Sequence, residues 1–228
     1  ISAFADADGV IRRLHVMHEA YGQLLPSLPL AAVLAAEPGT ALPLVPIGRL
    51  AAINPTEVRN YLNKLIEYEQ VQQVHSPSIG DRAWMKDVIH VAGGKDSSEN
   101  SAFRDYMYNY EQYFRDTLFG GRVETFTKTS AGVVQQANTD RIQQLINSGV
   151  GFIGYFGHSS ANTFEFNLSN PELYSNAGKY PFFNVSGCSA GNFYTFDKTR
   201  LINNKSISES YIFANQRGSI GFLADTHF

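Results

Sequence analysis

The chain has 228 residues, 43% of them hydrophobic, 13% aromatic and 17% charged. That composition specifies a packed core and excludes a disordered or fibrous chain, and at ~150 residues per domain the length allows one large domain or two small ones. Eighteen Lys+Arg against 21 Asp+Glu leave a net charge of −3 with no basic block. Nucleic acid is therefore not an expected partner, because no cationic stripe is available to displace counterions from a phosphate backbone. No apolar run approaches the ~18 residues of a membrane span. The single cysteine, Cys188, excludes an internal disulfide and any multi-thiolate metal cluster. Ile1 opens a segment with neither a charged nor an apolar leader region. The chain reads as a piece of a longer protein.

Residues 1–50 are expected to form a loop- and strand-rich part, since 24–46 hold five prolines and few charges. A helix is predicted to start at Asn54 as N-cap, with Pro55 at N1 and Glu57 at N3. Val58, Tyr61, Leu62, Leu65 and Ile66 follow at the spacing of a stripe packed on one face. From there strands and helices alternate. The run 87–92 (DVIHVA) reads as a buried strand entering Gly93-Gly94. A helix is predicted over 99–119, with Phe103, Met107, Tyr110 and Phe114 along one side and Gly120-Gly121 as its stop. Strand 122–128 (RVETFTK), helix 140–147, strand 150–156 (VGFIGYF), a helical turn at Asn170-Pro171-Glu172 and strand 180–186 (YPFFNVS) come next. A helix over 206–216 and a last strand over 219–224 (SIGFLA) complete the pattern.

Five apolar strands separated by helices predict an α/β fold whose mostly parallel sheet is flanked by helices on both faces. Right-handed crossovers would bring every strand C-terminus to one edge, where such sheets bind their ligands. Two of those ends carry chemistry. Gly157-His158-Ser159-Ser160 follows one strand, and Gly187-Cys188-Ser189-Ala190-Gly191 follows another. On neighbouring strands these turns would lie ~5–10 Å apart, from the ~4.8 Å strand spacing. An imidazole there can convert the thiol to its reactive thiolate and later protonate a leaving amine. Small flanking residues leave room for a substrate backbone and free the N–H groups of Ser159 and Cys188 as oxyanion donors. The competing reading is that a lone Cys packs as a small apolar residue and a lone His is structural.

The segments Gly154-Tyr155-Phe156-Gly157-His158-Ser159 and 184–193 (NVSGCSAGNF) resemble the catalytic block of the gingipain-type cysteine peptidases, a branch of the caspase-like superfamily. The run 45–50 (VPIGRL) through Tyr68-Glu69 resembles that family's "IGR" strand and the helix after it, and 218–226 (GSIGFLADT) its strand after the catalytic Cys. The resemblance implies a caspase-like three-layer sandwich, its catalytic domain over 51–228, with Cys188 as nucleophile, His158 as its partner and a polypeptide substrate hydrolysed through an acyl-enzyme. It also implies a secreted, cell-surface or outer-membrane location, because the family is mostly secreted by Bacteroidetes and one branch is the outer-membrane sortase of type IX secretion. Transpeptidation through the same acyl-enzyme, and a catalytically inactive binding domain on the same fold, are the alternatives. Ser159 stands where the family usually has Gly, and a Ser backbone N–H donates equally well.

The resemblance also implies an acid that orients His158, from the loop after an earlier strand. The closest register puts Ala92 or Gly93 at that position, so Asp96 and Glu99 are the available carboxylates, and Asp96 is the one expected; a helix N-cap is the competing role for either. Gly187, Asp225, Thr226 and His227 are the expected substrate-binding residues, with Asp225 able to pair with a basic P1 side chain or to be an ordinary strand-end acid. No cofactor and no metal site is expected. Asp6-Ala7-Asp8-Gly9 matches the start of a calcium loop but lacks the remaining ligands, and His15, His18, His75 and His90 have no ligand spacing. Tyr106, Tyr108, Tyr110 and Tyr113 are expected to pack a helix rather than stack on bases.

Overall fold

The computed structural model describes residues 3–4, 13–14, 17–20, 23–26, 48–73, 78–128, 136–193 and 205–227. The chain divides into two compact units, Ile1–Leu50 and Ala51–Phe228. The first contains two antiparallel pairs, β1 (Ala3–Phe4) with β2 (Arg13–Leu14) and β3 (Met17–Ala20) with β4 (Gln23–Pro26). The calcium-loop-like run at 6–9, His15, His75, and 27–47 of the proline-rich and "IGR" segments lie outside the described residues. Residues 48–50 of that "IGR" run carry no regular secondary structure, so no strand is found in the described part of it.

The second unit is built on five strands, β5 (Asp87–Gly93), β6 (Arg122–Thr127), β7 (Phe152–Gly157), β8 (Phe182–Ser186) and β9 (Gly221–Ala224). They run in the order β6-β5-β7-β8-β9, and every adjacent pair is parallel. The helices are α1 (Pro55–Gln73), α2 (Ser97–Arg115), α3 (Gln136–Ser148) and α4 (Ile207–Phe213), with 3-10 turns at Ile79–Lys86 and Pro171–Leu173. Alternation along the strands decides the layers, because successive side chains point to opposite faces. Ile89, Val91, Ile153, Tyr155, Phe183 and Val185 face one core, where they meet Ile142 and Ile146 of α3, Ile207 and Tyr211 of α4, and Phe164, Phe166 and Leu168 of the loop after β7. On the opposite face α2 lays Phe103 against Phe156 and Phe114 against His90 and Phe152. The fold is thus the expected three-layer α/β sandwich of caspase-like type. The second layer is narrower than expected: α2 reaches β5, β6 and β7, while Phe182 of β8 and Leu223 of β9 stay 41% and 60% exposed.

Two helix faces differ from the sequence expectation. Val58, Leu62 and Ile66 of α1 are about half exposed, and the buried residues of that helix are Glu57 and Lys64. Hydrogen bonds turned the helix: Lys64 Nζ donates to the carbonyls of Tyr211 (2.9 Å) and Ile212 (3.1 Å) at the end of α4, and the Tyr61 hydroxyl to the Ile220 carbonyl. Lys64 thereby meets carbonyls at the end of α4, where a helix runs out of its own N–H partners, and the Tyr211 carbonyl also accepts the Ser219 N–H. On α2 the tyrosines face largely outward: Tyr106, Tyr108, Tyr110 and Tyr113 are 54–78% exposed, although the Tyr106 ring still meets Phe156 at 5.3 Å between centroids, and Phe103, Met107 and Phe114 form the inner side. Tyr110 therefore leaves the inward set. One sequence signal held closely: Asn54 caps α1, accepting from the Glu57 N–H at 3.0 Å.

Candidate active site

Because the strands are parallel, the turns after β5, β7, β8 and β9 all open on one edge of the sheet. Register places Gly93 opposite Gly157, Phe156 opposite Ser186 and Val185 opposite Ala224. His158 is the first residue beyond β7, and Cys188 the second beyond β8. The two turns are tied directly. The Ser159 hydroxyl donates to the Cys188 carbonyl at 2.8 Å. This close approach needs glycine: a Cβ on Gly187 would lie 2.5 Å from Ser159 Oγ and 2.6 Å from the Gly157 carbonyl oxygen, inside van der Waals contact. A Cβ on Gly93 would lie 2.2 Å from the Tyr155 hydroxyl oxygen.

Cys188 is exposed, which sets aside the reading of this thiol as a packed apolar residue. The following residue, Ser189, has φ +56°, an uncommon conformation for a residue with a Cβ, and its N–H donates to the His227 carbonyl at 3.2 Å. Gly191 N–H donates to the Asp225 carbonyl at 2.9 Å. The Cys188 turn is thereby fastened to the end of β9. Gly187, Cys188, Asp225, Thr226 and His227 line one open cleft of about 470 Å³, so the structure brings together the thiol and all four residues expected to bind substrate. Neither the Ser159 nor the Cys188 backbone N–H is taken by an acceptor among the described residues.

The carboxylate that meets the imidazole is Glu99, not Asp96. Glu99 Oε2 lies 3.0 Å from His158 Nε2. Asp96 is the N-cap of α2, and its Oδ1 accepts from the N–H groups of Ser98 and Glu99, both at 2.9 Å. That role turns its side chain into its own helix and away from His158. The signal was present in the sequence: Asp96-Ser97-Ser98-Glu99 has the capping-box spacing, which commits the first acid to the cap. Glu99 is held below the usual carboxylate range, first by the Lys95 N–H donating to Oε2 at 2.9 Å and then by His158. An ionised carboxylate only accepts, so Nε2 carries the hydrogen and Nδ1 is the basic nitrogen of the neutral ring.

An exposed thiol and a carboxylate-held imidazole on adjacent strand-end turns of a parallel α/β sheet mark this edge as the candidate site. Sequence comparison makes the assignment specific. The model of peptidase family C25 matches residues 10–228, and the chain belongs to that family. No curated protein sequence matches the chain. Three solved structures share the fold. One described as a protease is 19% identical with a TM-score of 0.56, over 86% of this chain and 39% of its own. The Arg-specific cysteine proteinase gingipain R is 15% identical with a TM-score of 0.53, over 79% and 42%. A complex of the pro- and mature domains of Porphyromonas gingivalis RgpB gives 17%, a TM-score of 0.50, and 72% and 37%. The chain therefore spans about two fifths of the length of these structures. No helix among the described residues is long and apolar enough to cross a membrane.

Proposed function

We propose that this chain is the catalytic domain of a secreted or surface-located cysteine endopeptidase. The observation that carries the reading is the pairing of Glu99 with His158 on the turn that Ser159 ties to exposed Cys188. His158 Nδ1 takes the thiol proton as Sγ attacks the scissile carbonyl. The Ser159 and Cys188 N–H groups receive the developing oxyanion, a type of preorganised donor pair that stabilises charge without reorganisation. The C–N bond then breaks, the imidazolium returns its proton to the leaving amine, and water hydrolyses the thioester with His158 again as base. Glu99 keeps the ring in the tautomer and orientation that this sequence needs. Asp225, exposed in the cleft, favours a basic P1 side chain by charge pairing.

A peptide library incubated with the protein and read by mass spectrometry tests this. Cleavage that vanishes in Cys188→Ala with the fold intact supports the reading; cleavage retained by that variant overturns it. Adding an amine nucleophile to the same reaction reads transpeptidation, since a ligated product forms only if the amine outcompetes water at the thioester.

A further inference from the structure

His158 is fixed through its backbone as well as its ring. Its N–H donates to the Gly93 carbonyl at 3.0 Å, and its carbonyl accepts the Glu165 N–H at 2.9 Å. The same carbonyl accepts the hydroxyl of Tyr155, three residues upstream, at 2.5 Å, and that hydroxyl in turn accepts the Glu165 N–H at 3.1 Å. Tyr155 is 1% exposed, so its phenol reaches this carbonyl through the core rather than through water. Burial also pushes its ionisation well above the ordinary tyrosine range, so it remains a donor at every working pH. The Glu165 side chain is anchored from the other side. Its Oε1 lies 2.9 Å from Nζ of Lys128, a lysine directly after β6 whose side chain is fully buried. A charge pair so placed costs desolvation and is not an efficient way to add stability. Its geometric consequence is a fixed position for residue 165, and with it for the carbonyl of His158.

We propose that Tyr155 and the Lys128–Glu165 pair are positioning residues that hold the His158 turn so that the imidazole faces Cys188. This rests on the reading of His158 as the base of Cys188. Nothing in the spacing of residues points to it, because Tyr155 reads as one more apolar residue of a buried strand.

The test uses two readouts on the whole chain. With ring-labelled histidine, the imidazole resonance of His158, assigned by its loss in His158→Ala, reports position. The alkylation rate of Cys188 by iodoacetamide at pH 7 reports reactivity, and the chain's single cysteine makes that rate unambiguous. Tyr155→Phe is expected to shift the His158 resonance and to slow alkylation about tenfold, the scale of a small misplacement of a catalytic group. Tyr211→Phe is the control: it removes an equally buried hydroxyl, bonded to the Leu168 carbonyl in the same core, and is expected to change neither readout. The double variant Lys128→Met/Glu165→Gln removes both charges together, so no lone ion is stranded, and shifts the resonance in the same sense. A His158 resonance unmoved in Tyr155→Phe and in the double variant overturns the inference, as does an equal shift in Tyr211→Phe. An alkylation rate unaffected by His158→Ala overturns the base reading instead, whatever the resonance does.

Discussion

Glu99, in the first turn of α2, holds His158 across the sheet edge, its Oε2 3.0 Å from Nε2 of the imidazole, while Asp96 three residues earlier caps the helix. Substitutions separate the two roles. Glu99→Gln is expected to lower the rate at saturating substrate roughly 10- to 100-fold with little change in melting temperature. Asp96→Ala should leave that rate unchanged and cost ~1 kcal/mol of stability, the usual worth of an N-cap. Because Glu99 titrates below the ordinary carboxylate range, its hold on His158 persists through mild acid. The hold is lost only as pH falls through that lowered value.

The crossing of the His158 and Cys188 turns leaves no space at Gly187. Gly187→Ala places a methyl 2.5 Å from Ser159 Oγ and forces the turns apart. The expected cost is ~1–3 kcal/mol by thermal unfolding, typical of overpacking, together with slower alkylation of Cys188. Full retention of both would show that the turns yield freely.

Asp225 lines the cleft beside the thiol. Asp225→Asn should reduce kcat/KM for substrates with Arg or Lys at P1 by roughly two- to fivefold, the worth of a solvent-screened charge pair, and leave substrates with an uncharged P1 unchanged. Equal losses for both substrate types would assign the residue a role in the turn alone.

Far from the thiol in function, His90 couples the fold to acid. It is 1% exposed, edge-on to Phe114, and burial lowers its pKa to about 4 against the partial compensation of Glu111. In the unfolded chain it titrates near ~6.5, so between the two values the unfolded state binds more protons. Stability is expected to fall as pH drops from ~6.5 to ~4, with no contribution from this group above that window. His90→Leu should flatten that part of the stability–pH curve measured by chemical denaturation, and an unchanged slope would refute the assignment.

How much of this was legible depends on what each residue is bonded to. The apolar runs around Ile89, Ile153 and Phe183 announced buried parallel strands, and parallel strands fix where their ends lie, so His158 and Cys188 could be placed on one edge from sequence. The orientation of α1 could not. Its apolar spacing pointed Val58, Leu62 and Ile66 inward with Tyr61 and Leu65, whereas the face turned inward is centred on Glu57, Tyr61 and Lys64, with Lys64 and Tyr61 bonded to distant carbonyls. The same holds for the His158 turn, whose bond to Gly93 joins segments far apart in the chain, while its bond to nearby Tyr155 comes from a residue that reads as apolar. Periodicity reports which residues avoid water, and is silent on long-range polar partners. Glu99 lies between these cases, since the capping-box spacing marks Asp96 as the cap but says nothing of what Glu99 reaches.

The central claim is that His158 activates Cys188, and the most direct measurement is the rate of Cys188 alkylation by iodoacetamide at pH 7 in the parent and in His158→Ala. A parent rate well above that of a free thiol, lost in His158→Ala while the fold is retained, is the predicted result. Equal rates in the two proteins would contradict it and leave the exposed thiol without a base.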